Sequence, residues 1–169
     1  MADDITKLIE QLGGADATER AAAAEALARL ETSASEAAVP LVRAAADGDE
    51  ATHDWAVAAL EGVGRPPAGS AAELAKLLAD SRPDVAYWAA TLLGRLGANA
   101  ASAVPALAAA LKATSGTSVQ ERAAWALGKV GPPASAAKTA LTKAAAVKDQ
   151  PRLARLAAEA LKNIDSSSG

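Results

Sequence analysis

One helical string returns five times along this chain. Ala23 to Leu30 (AAEALARL), Ala56 to Val63 (AVAALEGV), Ala89 to Leu96 (AATLLGRL), Ala123 to Val130 (AAWALGKV) and Ala157 to Ile164 (AAEALKNI) align in register. The alignment puts Leu27, Leu60, Leu93, Leu127 and Leu161 in one column, 33, 33, 34 and 34 residues apart. A second column, Leu8, Leu41, Leu74, Leu107 and Leu141, is spaced by 33, 33, 33 and 34. Two independent columns with one period are the mark of a solenoid, in which each repeat buries its apolar face only against its neighbours.

Each repeat reads as two helices. The column spacings predict first helices over about 3–12, 35–46, 70–79, 101–113 and 134–147, and second helices over about 18–30, 50–63, 83–96, 118–130 and 151–164. Gly64, Gly97 and Gly131 follow the last apolar residue of three second helices, where a positive-φ cap is wanted. Pro66, Pro132 and Pro133 then bar continuation. Pro83 and Pro151 suit a first helical position, Ser118 with Glu121 matches a capping box, and Ser33 with Glu36 and Ser70 with Glu73 offer two more. On a second helix the positions −8, −4, −1, 0 and +3 from the column leucine share one side. In the third repeat these are Val85, Ala89, Leu92, Leu93 and Leu96, all apolar.

Composition agrees with helices that approach closely. Phe is absent and aromatics are 2%. Ala, the strongest helix former, dominates. No Cys is present, which removes disulfides, thiolate metal sites and Cys nucleophiles. A net charge of −3 argues against a broad phosphate-binding surface. The start, MADDITKLIEQ, lacks the pattern of a signal peptide, and no apolar run reaches membrane-spanning length. The expectation is a cytoplasmic, monomeric protein with no membrane contact.

The strings Ala103-Val104-Pro105-Ala106-Leu107, Ala38-Val39-Pro40-Leu41 and Ala126-Leu127-Gly128-Lys129-Val130-Gly131 resemble HEAT repeats, and more closely the short bacterial subtype called HEAT-like or phycobilisome-lyase-type repeats. The resemblance runs from about Ile5 to Ile164. It implies an all-α fold, a right-handed α-α superhelix (α-solenoid) of about five two-helix repeats. Their bounds are about 3–31, 35–64, 70–97, 101–131 and 134–165, one domain over 1–165 with a disordered tail at 166–169. Both end helices carry a charged face, Asp3, Asp4, Lys7 and Glu10 on one and Arg152, Arg155, Glu159 and Lys162 on the other. That is the pattern of capped ends, so five repeats are expected to be the whole array.

The family often pairs an Asp in the turn inside a repeat with an Arg early in the second helix. Asp47 and Asp80 match, but the Arg column reads Arg20, His53, Ala86, Gln120 and Ala154. The resemblance therefore implies an interrupted ladder with looser turns.

In the family the second helices line the concave side, and that face carries the candidate binding residues. Position −5 holds Trp55, Trp88 and Arg122, position −2 holds Trp125, and position +2 holds Arg95 and Lys129, with Tyr87 nearby. Trp and Arg are the usual anchors of protein interfaces, and cations beside aromatic faces suit an extended peptide with acidic residues. The same residues admit a plainer account. A Trp can fill space between alanine-rich helices, and a cation in a last turn offsets the helix dipole.

His53 lies among Asp49, Glu50 and Asp54 at helical spacings. A weak metal pair needs that spacing, yet an acidic first turn is the ordinary response to a helix N-terminus. No metal site and no cofactor is assigned. No Ser, His and acid set can be assembled with warrant around the single His, and no phosphate-binding or dinucleotide motif occurs. The reading is a non-catalytic scaffold that holds a protein or extended peptide on its concave face. The resemblance leaves two alternatives, a lyase or chaperone-type subunit for a tetrapyrrole chromophore and a nucleic-acid-binding module, the second opposed by the acidic balance.

Overall fold

Ten α-helices, joined by turns and 3₁₀ segments and with no strand, make up the residues that this computed structural model describes, 2–166. They are α1 (Ala2–Leu12), α2 (Ala17–Leu30), α3 (Ala38–Ala44), α4 (Glu50–Gly62), α5 (Ala71–Leu77), α6 (Pro83–Leu96), α7 (Val104–Ala110), α8 (Thr117–Val130), α9 (Lys138–Ala145) and α10 (Pro151–Asp165). Two compact units divide the chain, one ending at Pro67 and holding α1 to α4, the other beginning at Ala68 and holding α5 to α10. Of the tail expected at 166–169, residues 167–169 lie outside the described residues.

Within each unit the second helices stack side by side, α2 on α4 in the first and α6 on α8 on α10 in the second. The leucine columns form the core of that stack. Leu27, Leu60, Leu93, Leu127, Leu41, Leu74, Leu107 and Leu141 are all fully buried. The face inferred for the third repeat holds without exception, since Val85, Ala89, Leu92, Leu93 and Leu96 expose nothing. Leu8 and Leu161 are half-buried, because each sits in an end helix with a neighbour on one side only.

Every first helix but α1 is shorter than its periodicity predicts. Residues Glu31–Ala37, Gly97–Ala103 and Pro132–Ala137 are 3₁₀ segments that precede α3, α7 and α9. Pro40 and Pro105 explain two of these breaks. Each lies in the first turn of its helix, where a missing N–H leaves no bond unmade, whereas a continuous helix from the preceding segment would lose one.

The caps divide in the same way. Pro83 and Pro151 do open their helices. Gly64, Gly97 and Gly131 have φ of +69°, +59° and +72°, as the stop signals require. The serine caps fail. Ser118 is the second residue of α8, behind Gly116; Ser70 precedes α5 without a side-chain bond; Ser33 lies inside a 3₁₀ segment. Asp16 and Asp49 are the capping side chains instead, accepting from the amides of Glu19 and Thr52. A carboxylate there also meets the positive end of the helix dipole.

Candidate functional site

At His53, Ala86 and Gln120, where the Asp/Arg ladder lapses, the turns are not loose, because other side chains tie them. Arg20 makes a two-pronged bond to Asp47, Nε to Oδ2 at 2.9 Å and Nη2 to Oδ1 at 3.0 Å, and also donates to the carbonyls of Gly14 and Ala15. One repeat on, His53 Nδ1 stands 2.8 Å from the carbonyl of Ala45. A carbonyl can only accept, so Nδ1 carries the proton and the ring is a turn clamp. The buried Gln120 repeats the device, with Nε2 donating to Leu111 O at 3.0 Å. At Ala86 the turn is held locally by Arg82, whose guanidinium and amide pull the Asp80 carboxyl down to about 2. The Arg20 guanidinium likewise holds the Asp47 carboxyl below its ordinary range. Asp49 is lowered by the amide and hydroxyl of Thr52, the bonds that make it a helix cap.

The candidate binding residues separate by unit. Trp55 lies on α4 of the first unit and is 38% exposed. The others lie on α6 and α8 of the second. Trp88 is buried at 8% and meets Tyr87 edge to face at 5.5 Å between centroids. Arg122 reaches from α8 to α6. Its guanidinium carbon sits 4.8 Å from the Tyr87 ring centroid and 5.2 Å from that of Trp125, and it donates to the Tyr87 hydroxyl. Lys129 adds a second cation, its Nζ 5.8 Å from the Trp125 ring. Tyr87, Arg122, Trp125 and Lys129 thus form one constellation, while Arg95 is half-buried in the last turn of α6.

One residue essential to this arrangement was not among the candidates. Gly94 lies beneath Trp125, and a Cβ at that position would stand 2.2 Å from the ring's Cζ3. The ring therefore rests on bare backbone. A glycine inside a helix reads as a weak point in a sequence, yet its recurrence at Gly128, 34 residues on, was a visible signal. At Gly128 an added Cβ would meet the Cα of Ala160 at 3.1 Å, so α10 also approaches closely.

Beside Trp125 runs a cleft of about 280 Å³ lined by Tyr87, Ser118, Glu121, Arg122, Arg152 and Leu156. Arg152 reaches across it from α10, its Nε 3.3 Å from Glu121 Oε2. The lining combines two rings and Leu156 with two guanidinium groups, one of them paired with the Glu121 carboxylate. Such a cleft can hold an acidic side chain by in-plane hydrogen bonds while its methylenes lie on the rings.

Stacked helix pairs with a fixed period define the class, an α-solenoid repeat protein. A family model for HEAT repeats matches residues 70–162, more than half of the chain, and the chain belongs to the HEAT repeat family. An engineered protein of known crystal structure is similar at 25% identity and a TM-score of 0.65, over 95% of this chain and 79% of that one. The complex of CpcE and CpcF of phycocyanin lyase from Nostoc sp. PCC7120 is similar at 22% identity and a TM-score of 0.65, covering 95% and 64% of the two chains. A designed armadillo repeat protein in complex with the peptide (KR)4 is similar at 19% identity and a TM-score of 0.66, covering 94% and 80%. The last two likenesses are of fold alone. No curated protein matches. Among the described residues no helix is long and apolar enough to cross a membrane.

Proposed function

We propose that this protein is a non-catalytic, monomeric scaffold of the cytoplasm that holds an acidic, extended segment of a partner protein against its second helices. The observation that carries the reading is Arg122, held over the Tyr87 and Trp125 rings in the lining of a cleft that Arg152 also lines. Stacking fixes the guanidinium plane in advance, so little side-chain freedom is lost when a carboxylate arrives. The buried Trp88 supports Tyr87 from behind, and the exposed Trp55 offers the first unit's own anchor. Solenoids of this kind present long rigid faces, as the designed armadillo protein does to a basic peptide. Here the anchors are cations, and the complementary charge is negative.

The test is a fluorescence-polarisation series with acidic, neutral and basic peptides, on wild type and on Arg122→Glu. Preference for acidic peptides, lost in the variant, is expected; indifference to peptide charge would sink the reading. Arg122→Glu serves better than removal of Trp125, which would also strip the packing over Gly94. Affinity capture from host lysate with both proteins would then name the partner.

A further inference from the structure

Two grooves in this molecule occupy the same register, and their difference points to a second binding site. In the first unit a groove of about 520 Å³ between α1 and α3 is lined by Leu12, Arg20, Pro40, Arg43, Ala44 and Asp47. In the second unit a groove of about 610 Å³ between α7 and α9 is lined at the matching positions by Leu111, Gln120, Ala140, Lys143, Ala144 and Val147. The Arg20–Asp47 ion pair spans the first. In the second the same two positions are Gln120 and Val147. Gln120 turns to the carbonyl of Leu111, and Val147 has nothing to accept with. The bridge is gone, and what replaces it is an apolar floor, to which α10 adds Leu153.

Besides Gln120, the polar lining residues are Lys112, Thr139, Lys143, Asp149 and Gln150. Lys112 and Lys143 are exposed and only one carboxylate, Asp149, shares the lining, so the groove is cationic in a chain whose net charge is −3. Gln150, also on the lining, has its amide oxygen buried with no hydrogen-bond partner among the described residues. An unmet acceptor of this kind is costly and favours any donor that a small rotation of the amide can reach. A groove of this volume, with an apolar lining and cationic and amide groups among it, has the make-up of a small-molecule site.

We propose that the groove between α7 and α9 binds an amphiphilic organic anion. Its aliphatic part lies on Leu111, Ala140, Ala144, Val147 and Leu153, its carboxylate meets Lys112 and Lys143, and an N–H on the ligand faces the Gln150 amide. This site is separate from the cleft at Arg122 and does not depend on its role.

The probe is N-decanoylglycine, which has an alkyl chain, one amide N–H and one carboxylate, compared with its uncharged methyl ester. Titration of the intact protein, followed by methyl NMR of the alanines, should shift Ala140 and Ala144 saturably, with the ester roughly tenfold weaker. A Lys112→Glu/Lys143→Glu variant should lose about the same factor. Ala140→Leu, which fills the floor with a good helix former, should abolish the shifts, while Arg122→Glu leaves them unchanged. Equal binding of acid and ester, or shifts that bypass Ala140 and Ala144, would overturn the proposal. Should Ala140→Leu unfold, seen by circular dichroism, the charge-reversal variant and the ester decide alone.

Discussion

The first unit bridges its inter-repeat groove with an ion pair, and the second leaves the matching groove unbridged and draws its helices together on glycine. Arg20 and Asp47 do the first. Gln120, Val147, Gly94 and Gly128 do the second. The apolar columns are alike in both units, so burial imposes the period, while each polar position is free to be solved by whatever side chain reaches the turn. A repeat protein can therefore change its surface chemistry one repeat at a time without disturbing the stack.

The largest effect tests the part that the units share. Leu60→Ala in the first unit and Leu93→Ala in the second each remove a fully buried side chain, and each should cost about 2–5 kcal/mol in denaturant unfolding. A loss below about 1 kcal/mol in either unit would break their equivalence.

Gly94→Ala sharpens the difference between the stacks. Its Cβ cannot share space with the Trp125 ring, which must swing off α6. The expected cost is about 1–3 kcal/mol, together with a changed Trp emission and weaker acidic-peptide binding. The matching position in the first unit is Ala28, where α2 already accommodates a methyl group, so Ala28→Gly should leave the Trp55 environment unchanged.

How far a reader could go from the sequence follows from the same contrast. Leu columns, glycine stops and helix-opening prolines were legible because each acts through local geometry or a fixed period. The serine caps were misread because a capping-box pattern names residue types, and the true start of α8 lay one residue earlier, at Thr117 behind Gly116. Arg122, Trp125 and Tyr87 were foreseen as one face. What the spacing could not give was the ring-on-backbone contact with Gly94 or the use of His53 and Gln120 as turn clamps, since both depend on distances between helices. The breaks before α3 and α7 were within reach, because Pro40 and Pro105 stand at them.

A smaller, opposite effect is expected where the first unit departs from the second at a helix stop. Glu31 occupies the position of Gly97 and Gly131 and adopts φ +47°, ψ −126°, a region that a residue with a Cβ rarely visits. The strain is on the order of 1 kcal/mol or more. Glu31→Gly should therefore stabilise the protein by about 1 kcal/mol, less what the freer unfolded chain takes back. Gly97→Glu should destabilise it. Thermal melts of the two variants read the signs directly.

The smallest effect is the most specific, because it moves one device from unit to unit. Asp47 is held below the ordinary carboxylate range by its bond from Arg20. A carboxyl whose folded pKa is depressed contributes stability that is fully present above its unfolded value, near 3.9, and lost as pH falls through the lower folded value. Asp47→Asn should thus lower the melting temperature at pH 7 and approach wild type on acidification below the ordinary carboxylate range. The second unit has no counterpart at Val147, so Val147→Asn should show no such convergence. Gln120→Arg with Val147→Asp installs the pair there. The double variant should gain the acid-sensitive component, keep its turn through the new Arg, and weaken N-decanoylglycine binding as a charged bridge replaces part of the apolar floor. Gain of acid sensitivity with binding intact would mean that the bridge and the open groove are unrelated, and that the divergence of the two units serves stability alone.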